Sequence, residues 1–142
     1  MKFISSSYDK TTGKSKVVMQ HLGIKFTGTA KVHPDEFDKA SEYAGCYYAE
    51  LRATIKALKY ERMIAKGEAD ICRNFVKSIE CYSKFNKDDE SAKSLYRQLN
   101  QKIKKVNDLA DEINDLYKRL DMSIHRRDIV IKAIHNNKIK IG

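Results

Sequence analysis

The sequence predicts an α+β fold: a small N-terminal antiparallel β-sheet packed on long α-helices, with a C-terminal helical oligomerisation segment. Three patterns carry this reading. Residues Ile24 to His33 alternate apolar and polar, the period of a half-buried strand. Residues Ser41 to Lys66 place apolar side chains at three- and four-residue steps, the period of an amphipathic helix. From Leu95 to Ile124 the same steps recur as a heptad-like seam. The 142 residues suit one domain, with a sheet region at 1–34 and a helical region at 35–142.

Taken in order, Lys2 to Tyr8 is a weak first strand, and DKTTGK with Gly13 is a turn. Lys16 to His21 is the second strand, and Leu22-Gly23 is a tight connection to the third. In that third strand Ile24, Phe26, Gly28, Ala30 and Val32 face inward, and Lys25, Thr27, Thr29, Lys31 and His33 face outward. Gly28 and Ala30 are small, so something packs closely there, and the Ser41–Lys66 helix is the natural candidate. Pro34 ends the sheet, since it cannot donate to the ladder. Asp35 and Glu36 suit the first turn of a helix.

Ala44, Tyr48, Leu51, Ile55 and Leu58 form the apolar stripe of the main helix. Gly67 is expected to break or bend it. The pattern resumes at Cys72, Phe75, Val76, Ile79 and Tyr82, with Tyr48 and Tyr82 expected in the core. Residues Asn86–Ser91 form a loop with capping residues. The seam that follows is longer than two shorter helices would cover, which points to self-association as a homodimer or higher oligomer. The tail from His125 either continues the helix or ends as an extended arm.

Lys and Arg number 28 against 19 Asp and Glu, a formal net charge of +9. The excess sits at the two ends: residues 1–34 hold six lysines and one aspartate, and residues 123–142 hold five cations and one acid. Such a chain favours polyanions, nucleotides or acidic protein surfaces. No stretch of 18 apolar residues exists, so no membrane span is expected. The N-terminus lacks a secretory core. Cys46, Cys72 and Cys81 are an odd number without CxxC spacing, and read as reduced, mostly buried thiols of a cytoplasmic protein. No metal or cofactor is expected. There is no GxSxG, HExxH, GxGxxG or Walker loop, and the four histidines are scattered, so the chain reads as a non-enzyme.

Anion binding has more support. Arg52, Lys56, Lys59 and Lys66 form a second stripe beside the apolar one, with Tyr60 at its edge. Arg52, Lys56, Lys59 and Arg62 have no acidic neighbour at helical spacing. Lys31 and His33 on the third strand are further candidates. So are Arg97, which like Lys102 lacks an acid at helical spacing, and Asn100, one turn beyond Arg97. The plain alternative is a solvated basic face, or salt bridges to another helix.

In FTGTAKVHPDEFD (Phe26–Asp38) and AGCYYAELRATIKALK (Ala44–Lys59) the chain resembles the first family of phage Thoeris anti-defence proteins. The likeness covers the first half of the chain, and the second half in outline. It implies a non-enzymatic protein that sequesters cyclic ADP-ribose isomers, and in some members cyclic oligonucleotides. It also implies dimers or higher oligomers in a host cytoplasm. A pyrophosphate-bearing ligand would suit Arg52, Lys56, Lys59 and Arg97, with an aromatic face under the adenine. The competing expectation, from charge alone, is a nucleic-acid or nucleoprotein binder such as an anti-CRISPR or a phage regulator.

Overall fold

The computed structural model describes residues 1–31, 39–82 and 84–141, and the side chains of 1–31, 42–82 and 84–125. Three strands precede two helices: β1 (Lys2–Asp9), β2 (Lys14–His21), β3 (Ile24–Lys31), α1 (Lys39–Glu80) and α2 (Glu90–Ile141). The expected α+β class is the one observed. The sheet is antiparallel in the order β1-β2-β3, with both outer strands at edges.

Leu22 and Gly23 make a two-residue hairpin turn with φ values of 53° and 75°. Two positive φ angles define the turn whose twist matches a β-hairpin. Leucine is a poor choice there, because its Cβ crowds the left-handed backbone by roughly 1–2 kcal/mol. The turn fixes the register, so Val17 lies opposite Gly28 and Met19 opposite Phe26. At the other hairpin Asp9 accepts from the Thr11 N–H at 2.8 Å, and this bond holds its carboxyl below the ordinary aspartate value.

The sheet packs on α1 through small residues. Gly45, Ala49, Ala53 and Ala57 recur every fourth position and all are buried. They let the helix come close to Val17, Met19 and Ala30. The approach is closest at Gly28, where an added Cβ would collide with the Ala49 carbonyl and lie 2.5 Å from the Ala53 nitrogen. The small inward residues of β3 therefore answer to the helix that their size implies. Ile24 departs from expectation: it sits at the sheet's tip and is exposed. Val32 and Pro34 lie outside the described residues.

The opposite face of α1 carries Leu51, Ile55, Leu58, Ala65 and Ala69 onto Val106, Leu109, Ile113 and Leu120 of α2. The molecule is thus three layers deep, with α1 between the sheet and α2. Tyr48 packs against both cores, as a core tyrosine should, and its hydroxyl donates to the Ser123 carbonyl at 3.2 Å.

Gly67 neither ends nor bends α1 out of helix, which runs unbroken for 42 residues. One glycine costs a helix about 1 kcal/mol, less than packing against α2 returns. At roughly 60 Å, α1 is long enough to cover the α2 seam, so the seam does not by itself require a second chain. The tail continues the helix, to Ile141. Tyr82 is not in the core but 74% exposed, since α1 has ended two residues before it. The cysteines are free, but Cys46 and Cys72 are only half-buried and Cys81 is exposed.

Candidate anion-binding ridge

The hairpin turn at Leu22-Gly23 pairs His21 with Ile24. Alternation then leaves the backbone groups of Lys25, Thr27, Thr29 and Lys31 pointing off the free edge of β3. Two of these open carbonyls are occupied. Arg52 Nη1 donates to the Thr29 oxygen at 2.7 Å, and Lys56 Nζ donates to the Thr27 oxygen at 2.8 Å. Residues four apart on α1 therefore meet carbonyls two apart on β3, because about 6 Å of helix rise matches two residues of strand. Lys59, three residues on, points to the α2 side, where its ammonium sits 4.9 Å from the centre of the Tyr117 ring. Tyr60 packs its ring on Phe26 at 5.6 Å between centroids.

These partners share one property: they are neutral. Arg73, Arg97 and Lys102 each have a carboxylate instead, from Asp70, Glu90 and Glu68. Among the described residues no carboxylate forms an ion pair with Arg52, Lys56 or Lys59. Their positions are set by carbonyl dipoles and an aromatic face, and their charges are left uncancelled. Glu61 does not approach them. It accepts from His21 Nε2 at 2.7 Å and closes the sheet's tip onto α1.

The outward face of the sheet extends this charge. Register places Lys14 opposite Lys31, and Lys16 opposite Thr29, on the side away from α1. Like charges directly across a ladder repel. Lys25 lies at the other end of the same outward row. Asp9, opposite Lys14, is the acid that the β1 pairing adds to this face.

The other expected site residues are divided from the ridge. Lys31 is exposed at the end of β3, near Arg52. His33 lies outside the described residues. Arg97 and Asn100 are exposed near the N-terminus of α2, beside the far end of α1. Antiparallel helices put them about 35 Å from Arg52. Arg97 and Lys102 do lack acids at helical spacing, but that spacing is blind to Glu90 two turns back and to Glu68 on α1, which lie 3.9 Å and 4.0 Å from them. Arg97 and Asn100 therefore form no common site with Arg52, Lys56 and Lys59 within one chain. Tyr117 is not among the expected residues; it sits on the flank of the α2 seam, and only the antiparallel pairing brings it under Lys59. Among the described residues the Arg62 Nε is buried without a hydrogen-bond partner. Three or more His, Cys, Asp or Glu side chains do not cluster as a metal site among the described residues.

No protein-family model, curated protein or solved structure matches the chain. The ridge is therefore read on its own chemistry. No described helix is long and apolar enough to cross a membrane.

Proposed function

We propose that the chain is a non-enzymatic binding module that captures a small anionic cyclic nucleotide on the ridge of Arg52, Lys56 and Lys59 and holds it intact. The cyclic ADP-ribose isomers implied by the sequence resemblance are the first candidates, and such capture would silence an immune signal. One observation supports this best. Three neighbouring cations are held in place by neutral acceptors, so their charge is both preorganised and unspent. A pyrophosphate accepts charge-assisted bonds from the remaining guanidinium and ammonium donors. The rings of Tyr60 and Tyr117, on either side of the row, offer faces for a base.

Calorimetric titration with cyclic ADP-ribose isomers and cyclic di- and trinucleotides tests this reading. Binding to one of them at fixed stoichiometry is expected, with ligand recovered unchanged from the heated complex. Lys59→Gln should weaken it at least tenfold while leaving the edge contacts of Arg52 and Lys56 in place. Absence of binding to every cyclic nucleotide would sink the proposal.

A second reading, nucleic-acid binding, is favoured by the outward sheet face with Lys14, Lys16, Lys25 and Lys31. It predicts affinity for duplex DNA or RNA that falls steeply with salt, because several phosphates are contacted together. It also predicts that Lys16→Glu is more damaging than Lys59→Gln.

A further inference from the structure

The two edges of the sheet differ. On β3, Arg52 and Lys56 occupy the open carbonyls of Thr29 and Thr27. On β1, Phe3 and Ser6 lie opposite Met19 and Val17, whose own backbone groups are turned to β3. The N–H and C=O groups of Phe3 and Ser6 therefore point off the free edge, and no hydrogen bond from a described residue meets them. Between these two residues the register shifts, with Ile4 as the extra residue. Phe3 and Ser6 are three apart, so in an unbroken strand their side chains would face opposite ways. The bulge turns Phe3 onto the side of Ser6, which faces α1.

α1 lies over β2 and β3 and reaches β1 at few points. A cleft of about 170 Å³ is left between β1 and the first turns of α1. Val17, 1% exposed, is its floor. Phe3 and Ser6 stand on one side, and Tyr43, Tyr47 and Glu50 on the other. Phe3 is 50% exposed and Tyr43 77%, so both rings keep open faces. The cleft has one carboxylate and no cation, in a chain of net charge +9. The clefts along α2, by contrast, each hold a base: Lys102, Arg97, or Lys104 with Lys105. Glu50 forms no ion pair among the described residues, and no base stands at helical spacing from it.

We infer that β1 pairs with an extended strand of a partner protein, and that the cleft takes an arginine side chain from that strand. Main-chain bonds to a sheet edge supply affinity, and a side-chain pocket beside the edge supplies the choice of sequence. Aromatic faces attract a cation, and arginine suits them better than lysine, because its guanidinium is planar and weakly hydrated. The Glu50 carboxylate accepts from the same guanidinium. An acidic side chain would meet repulsion from Glu50, and an apolar one would strip it of water without return. Small-molecule pockets measure roughly 300–1,000 Å³, so this cleft suits a single side chain. β1 itself carries no arginine, so a second copy paired at the same edge would leave the cleft unfilled. At 100° per residue Glu50 stands about 160° from Arg52 around α1, so the inference does not rest on the nucleotide reading.

Pools of blocked seven-residue peptides test it, with mixed Thr, Val and Ser at six positions and arginine, citrulline, glutamate or leucine fixed at the fourth. Each pool carries a neutral dye, and fluorescence anisotropy reads its binding to the full chain. The arginine pool should bind at least tenfold tighter than the citrulline pool, which keeps the shape and loses the charge. Glu50→Gln should erase that preference with helical circular dichroism unchanged, since Glu50 is exposed and glutamine is a good helix former. Ser6→Pro removes an edge N–H that the β1–β2 ladder does not use, and should weaken the arginine pool at least tenfold. Failure of every pool to bind would overturn the proposal, as would equal binding of the arginine and citrulline pools. So would a preference that survives Glu50→Gln, or binding indifferent to Ser6→Pro. Blocked arginine alone binding as tightly as the pool would also overturn it, because the edge would then contribute nothing.

Discussion

Ser15 of β2 is fully buried, and among the described residues its hydroxyl has no hydrogen-bond partner. An orphaned buried donor loses its water without compensation. Ser15→Ala should therefore stabilise the protein by about 1 kcal/mol, raising the melting temperature by about 3 °C. A loss of stability would mean that the hydroxyl has a partner after all. Gly28 is the opposite case. Any side chain there meets the Ala49 and Ala53 backbone, which cannot yield without moving α1 off the sheet. Gly28→Val should cost at least about 2 kcal/mol in chemical denaturation. Gly28 was legible in the sequence because a glycine on the inward row of an alternating strand marks the close approach of another element. Ser15 was not, since nothing local separates a buried serine from one on the rim.

At the scale of elements, α1 decides most of what the molecule can do. Its apolar stripe and its basic stripe are both visible in the sequence, and both are where the periodicity puts them. What periodicity does not reveal is how far each neighbour extends. Cys72, Phe75 and Ile79 read as core because their spacing matches that of Leu51, Ile55 and Leu58. The sheet is only eight residues long per strand, and it leaves the distal half of the helix uncovered on one side. The basic stripe has likewise a structural part that spacing hides. By occupying the Thr27 and Thr29 carbonyls, Arg52 and Lys56 close an edge that would otherwise offer itself to another strand. Both contacts are solvent-exposed, so Lys56→Met should change the melting temperature by little. The double change Arg52→Met with Lys56→Met leaves the β3 edge open. It should promote aggregation on heating, read by light scattering, and should abolish nucleotide binding if the ridge is the site. Unchanged scattering would show that the edge needs no guard.

At the scale of the whole molecule, the layers are unevenly deep. Around Ala49 to Leu58 the helix has the sheet on one side and α2 on the other, and Ala49, Ala53 and Ala57 are fully buried. Beyond Glu61 the hairpin is two helices thick, held by Ala65, Ala69 and Val76 against α2, with larger apolar residues facing outward. Local opening is governed by the apolar surface that each segment buries, so the distal hairpin should open at a much lower free energy than the sandwiched segment. Amide hydrogen exchange on the dilute chain should then show slow exchange at residues 49–58, and exchange faster by at least tenfold at 70–80 and 90–100. Uniform protection at low concentration would contradict the uneven layering itself, and would mean that the two-helix end is as well buttressed as the three-layered one.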